Sequence, residues 1–143
     1  MEERRRYKRS PVIHEMDETI QIGLGTDAIP GLLVDLSAGG MSLLTYSALP
    51  LSTLINLSID LPGLKTHHLM GKVVWTVPKG EMWRVGITFS KIDPADFRHI
   101  NRLAFDFSDC ETKLALGVSD VCFEKCSYLK LCHKPQKLHN NKR

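Results

Sequence analysis

Two clusters in this chain combine residue types and spacing that suit molecular recognition. The first is Arg4-Arg5-Arg6-Tyr7-Lys8-Arg9 near the start, and the second is Asp35-Leu36-Ser37-Ala38-Gly39-Gly40. Arginine forks supply paired donors, flat stacking faces and positive charge, whereas an Asp-x-Ser-x-x-Gly turn brings an acceptor, a hydroxyl and exposed backbone to one point. Guanine carries the complements of these groups. Its O6 and N7 accept a bidentate guanidinium, its N1 and N2 hydrogens suit a carboxylate, and a phosphate takes the remaining positive charge. Together the two clusters can hold a guanine nucleotide, although each alone is also a common solvated arm or self-capping turn.

A third group has metal-ligand chemistry. Cys110, Cys122, Cys126 and Cys132 all lie in the last third of the sequence, and they lack the paired Cys-x-x-Cys knuckles of zinc ribbons. Four thiolates from one chain complete either a tetrahedral zinc or a four-iron cluster, and of the two an iron–sulfur cluster is preferred. A helix over residues 121–131 would put Cys122 and Cys126 on one face, with His133 as a substitute ligand. The competing readings are a small apolar face of Cys122, Phe123, Cys126, Leu129 and Leu131 packed on the body of the protein, and a thiol–disulfide switch. Other polar residues form no constellation that catalysis requires, so no enzyme is expected. His67 and His68 have no carboxylate or cysteine at metal spacing and are assigned to the surface. Trp75 and Trp83 are assigned to a cross-strand aromatic pair.

The elements that must position these groups are mostly short strands. The chain has 143 residues, 43% of them hydrophobic and 24% charged, enough for one domain with a real core. Charge is unevenly placed: residues 1–9 sum to +3 and residues 130–143 to +5, so the remainder carries −5 of the total of +3. A mildly acidic body with basic ends favours local anion contacts over a broad DNA-binding face, so specific nucleic-acid binding is not expected. No apolar run reaches the roughly 18 residues of a membrane span, and no signal-peptide core follows the charged start; both predict a cytoplasmic protein. In a reducing compartment the cysteines favour metal or free thiols over disulfides.

Imperfect alternation from Val12 to Ile22 predicts a first strand with an irregular middle, and Pro30-Gly31 punctuates the loop after it. Leu32-Leu33-Val34 and Met41-Ser42-Leu43-Leu44 read as strands into and out of the Asp35 turn. From Thr53 to Leu61 the period of two is clearest, with Ile55, Leu57, Ile59 and Leu61 inward. His67–Val77 and Trp83–Phe89 form a hairpin across the connection at 78–81. Asp93 then caps a helix with Pro94 in its first turn, and Phe97, Ile100, Leu103, Ala104 and Phe107 keep helical spacing. The expected fold is mainly β: a small six-stranded antiparallel barrel, an amphipathic helix that closes it, and a short cysteine-containing tail. The corresponding segments are a flexible basic arm (1–10), the barrel with its helix (11–107), a cysteine segment (108–133) and a disordered basic tail (134–143).

Arg5-x-x-x-Arg9, Asp35-x-Ser37-x-x-Gly40, the six strands and the closing helix together resemble a PilZ domain, over roughly residues 3–107. PilZ domains are receptors for the bacterial second messenger cyclic di-GMP. The resemblance implies a flexible arm whose arginines clamp the ligand against the barrel. Carried over by position, Arg5 and Arg9 would contact guanine and phosphate, Asp35 and Ser37 would bond the guanine edge and phosphate region, and Gly40 would allow close backbone approach. Arg4 and Arg6 stand in reserve, since the alternative frame Arg4-x-x-x-Lys8 ends in a point charge without a fork. Ordering of the arm around the ligand would create a surface for an unidentified protein partner. The alternative is a metal- or redox-sensing interaction module whose input arrives at the cysteines and whose barrel is only a scaffold.

Overall fold

The computed structural model describes residues 11–24, 27–118, 122 and 126–132. Its strands are β1 (Glu18–Leu24), β2 (Asp27–Ser37), β3 (Gly40–Thr45), β4 (Leu54–Ser58), β5 (Asp60–Leu61), β6 (Leu64–Lys65), β7 (Leu69–Lys79) and β8 (Met82–Ile92), followed by one helix, α1 (Pro94–Ala115). Six of the strands close into an antiparallel barrel in the order β1-β2-β3-β8-β7-β4, and β5 and β6 form a separate small hairpin. Closure removes the exposed strand edges that an open sheet of this size would carry.

The period-two reading of 53–61 holds for the side chains: Ile55, Leu57, Ile59 and Leu61 are all buried. The backbone nevertheless breaks after Ser58. Thr66 takes over both sides of Ile59, its Oγ1 accepting from Ile59 N–H at 3.2 Å and its own N–H donating to Ile59 O at 3.0 Å. β2 is much longer than the triplet Leu32-Leu33-Val34, because Pro30 and Gly31 are part of it. Pro30 sits opposite Gln21 of β1, before the β3 pairing begins at Leu32, so its missing N–H interrupts no ladder on that side. Residues 11–17 are not a strand. Glu15 and Asp17 have φ of 60° and 61°, which breaks the extended chain, and the segment meets β2 through an isolated bridge at Ile13 and a hydrogen bond from Met16 N–H to Val34 O.

Asp93 caps α1 as its sequence predicts, its Oδ1 accepting from Ala95 N–H at 2.8 Å. The helix runs beyond Phe107 to Ala115, which places Cys110 on the helix itself. Its apolar face, Ile100, Leu103, Ala104 and Phe107, joins the barrel core. Residues 126–132 fold back over α1. Ser127 donates through both its backbone N–H and its Oγ to Asp106 Oδ2, at 2.8 and 2.7 Å, and Tyr128 meets Phe107 edge-on with centroids 5.0 Å apart. This stretch is a turn and one 3-10 helix (Leu129–Leu131) rather than the α-helix considered for 121–131.

Candidate functional site

Strict alternation in β2, with Leu33 inward, would turn Asp35 inward as well. A bulge prevents this. The β2–β3 register shifts between Leu33 and Asp35, and Val34 O accepts from Met16 N–H at 3.0 Å. The extra residue lets Leu33 and Leu36 both be fully buried while Asp35 between them faces out. Asp35 then lies in register with Ser42 of β3, Ser42 with Gly86 of β8, and Gly86 with Trp75 of β7. The next row along the same outer face runs Ser37, Gly40, Thr88, Lys72.

Asp35 is tied down on this face. Its Oδ2 accepts from Arg84 Nη2 at 2.5 Å and from Ser42 Oγ at 3.0 Å, and Arg84 Nη2 also donates to Ser42 Oγ at 3.1 Å. Ser37 closes the turn weakly: its Oγ accepts from Gly39 N–H at 3.3 Å and donates to Gly40 O at 3.4 Å. Bonds this long exchange readily for better partners. At Gly40 the requirement for glycine comes from β8, since a Cβ there would overlap the Ile87 carbonyl oxygen. The β2–β3 hairpin can therefore lie against β8 only with glycine at this position.

Asp35, Ser37 and Gly40 are thus gathered on one face, together with Ser42, Arg84, Trp75 and Lys72, which the motif alone does not name. Trp75 is not paired with Trp83, whose partner in β7 is Pro78. Its indole instead lies across Gly86, where any side chain would overlap it, and remains 41% exposed. The neighbouring Lys72 is exposed and adds a cation to the Ser37 row. Arg4, Arg5, Arg6, Arg9 and His133 lie outside the described residues. Near the start of the described chain, Ile13 N–H donates to Leu36 O and Leu36 N–H to Ile13 O, both at 2.8 Å. Ile13 therefore lies beside the Asp35–Gly40 turn.

His67 lies at the surface as expected, but it does have a carboxylate partner. Its backbone N–H donates to Asp96 Oδ2 at 2.7 Å, and its Nδ1 lies 2.8 Å from Asp96 Oδ1. The hydrogen bond that the His67 ring donates to Asp96 raises the His67 pKa, with the Asp96 and Asp93 charges assisting against a smaller opposing effect of desolvation. His67, Asp93 and Asp96 are also the one group of three or more metal-type ligand atoms within 4.8 Å of one another among the described residues. Both Asp96 oxygens serve His67 and Asp93 Oδ1 serves the helix cap, so the cluster is accounted for as a clasp between the β6–β7 segment and α1. His67 and His68 also border a cavity of about 590 Å³ with Asn56, Lys91 and Asp93.

The cysteine sulfurs do not converge to that spacing. Cys126 and Cys132 pack against the core. Burial pushes the Cys126 thiol up; the Tyr128 backbone lowers it, and Asp106, Cys110 and Cys132 raise it further. Burial likewise pushes the Tyr128 hydroxyl up to about 12.

The family model of the PilZ domain matches residues 3–106. The chain belongs to the PilZ domain family. Solved PilZ-like neighbours include Bacillus subtilis MotI/DgrA, an inhibitor of motility, at 19% identity and TM-score 0.57, covering 79% of this chain and 54% of that one. Escherichia coli YcgR in complex with c-di-GMP aligns at 21% identity and TM-score 0.58, covering 80% of this chain and 50% of that one. The K. pneumonia MrkH complex with c-di-GMP aligns at 17% identity and TM-score 0.59, covering 78% and 56%. This PilZ chain spans about half the length of these proteins. No curated protein sequence matches it. Among the described residues no helix is long and apolar enough to cross a membrane.

Proposed function

We propose that this protein is a cyclic di-GMP receptor that acts by binding and not by catalysis. Asp35 and Ser37 hold a guanine edge and phosphate on the outer face of the barrel, and Arg5 and Arg9 close over the ligand from the arm, with Arg4 and Arg6 adding charge. The observation that carries this reading is the Ile13–Leu36 bridge. Arg9 is four residues from Ile13, so at about 3.3 Å per residue its backbone reaches about 13 Å from the bridge, and a long side chain extends that. Lys72 and the exposed Trp75 make the same face suitable for phosphate and for a flat base. An arm ordered by the ligand presents a new surface, through which the receptor engages a protein partner in the cytoplasm.

Competition binding tests this against loose polyanion capture. Unlabelled cyclic di-GMP should displace a labelled cyclic di-GMP probe from the protein, while GTP and random DNA should not. Displacement by DNA with a steep salt dependence would contradict the proposal.

A second reading concerns the cysteines, because Cys126 and Cys132 pack against the core that α1, the helix carrying Cys110, also joins. These thiols, with Cys122, form the site of an iron–sulfur cluster or zinc once the sulfurs close up, and couple metal state to the barrel. Anaerobic purification decides: brown protein with visible absorption supports iron, colourless protein with stoichiometric zinc supports zinc, and metal-free protein refutes the reading.

A further inference from the structure

Asp35 is gripped through one oxygen only. Arg84 Nη2 and Ser42 Oγ both donate to Oδ2, at 2.5 and 3.0 Å, and two donors use the two lone-pair positions of that oxygen. Oδ1 has no partner among the described residues, and the Asp35 side chain is 28% exposed. Arg84 is itself confined. Its backbone lies between Leu44 and Val77 in register, its Nη2 also reaches Ser42 Oγ at 3.1 Å, and its Nε is buried with no hydrogen-bond partner among the described residues. A guanidinium that leaves a donor buried and unpaired is not optimising its own bonding. What its placement does achieve is a fixed carboxylate plane for Asp35.

We propose that Arg84 is the positioning residue for Asp35: with Ser42 it saturates Oδ2 and leaves Oδ1 as the single acceptor offered to a guanine N1–H or N2–H. This inference rests on the cyclic di-GMP reading above. Arg84 then strengthens binding without touching the ligand. It also differs in kind from the arm arginines, whose forks act on guanine and phosphate directly. Side chains that act through one another show non-additive substitutions, and independent contacts show additive ones.

A double-mutant cycle by calorimetry on the full chain therefore tests the proposal, with cyclic di-GMP titrated into wild type, R84A, D35A, the R84A/D35A double variant and R84K. R84A should weaken binding about tenfold in the wild-type background and less than about twofold once D35A is present. R84K should fall between wild type and R84A, since an ammonium keeps a cationic donor for Oδ2 but on a stem of different length and shape, which places it less well. An equal loss from R84A in both backgrounds would mean direct ligand contact and overturn the proposal. Tighter binding by R84A would mean competition for Asp35 and overturn it equally. If R84A does not fold, the cycle is run with R84K, whose smaller loss must also vanish in the D35A background. Wild-type protein that does not bind overturns the receptor reading together with this one, whereas wild-type binding indifferent to Arg84 overturns this one alone.

Discussion

Asp96 and Asp35 each meet a basic side chain across a long sequence gap, and they are built to opposite ends. Asp96 is 3% exposed and both its oxygens are used, by the His67 backbone and by its ring. Asp35 is 28% exposed and has one oxygen engaged. The first arrangement is closed and locks α1 to the segment before β7. The second leaves acceptor capacity facing solvent, next to a weakly bonded serine hydroxyl and an exposed indole. Burial and saturation thus separate a closed clasp from the open carboxylate proposed for recognition, a difference that sequence alone does not show.

The largest expected effect is one that would collapse the open region altogether. Gly40→Ala forces a methyl group onto the Ile87 carbonyl oxygen, so it should cost about 3 kcal/mol of stability, read by denaturant unfolding, and should displace the Asp35 turn with it. A neutral outcome would mean that β3 and β8 are less closely apposed than the barrel requires. Asp96→Ala should separate the two regions. Loss of the buried acceptor for the His67 amide should cost about 2 kcal/mol, while cyclic di-GMP affinity stays within about twofold of wild type. Equal damage to binding would erase the distinction between clasp and site.

The smallest effect sharpens the closed side through pH. His67 has its pKa raised above the ordinary 6.5 by Asp96, so the protonated ring is favoured in the folded state. The stability it adds is fully present below the ordinary value and is lost as pH rises through the raised one. The melting temperature should therefore fall as pH rises above the ordinary histidine value of 6.5, and His67→Gln should flatten that part of the profile. An unchanged slope in the variant would assign the dependence to other groups.

Much of the fold is legible in the order of residues. The alternation of Ile55, Leu57, Ile59 and Leu61, the Asp93-Pro94 helix start and the two glycine-punctuated hairpins are local patterns, and local patterns survive into the structure. Long-range register is less legible. Nothing near Val34 marks a bulge, yet that bulge turns Asp35 to the outer face. Arg84 is 49 residues from Asp35, and His67 is 29 from Asp96, so neither partnership has a spacing to read. Trp75 lies on Gly86 because β7 and β8 shift register between Val73 and Trp75, which a simple hairpin pairing of the tryptophans overlooks. Pro30-Gly31 read as a turn because these residues usually make one; here β2 extends past its β3 partner and tolerates both.

The central claim is that the open face built around Asp35 binds cyclic di-GMP together with the arm. Calorimetric titration of cyclic di-GMP into wild type, Arg5→Ala and Asp35→Ala tests it most directly. Saturable binding by wild type, weakened roughly 10- to 100-fold by either substitution as expected for a lost charge-assisted bond, is the predicted result. Wild-type binding that neither substitution weakens, or no binding at all, would contradict it.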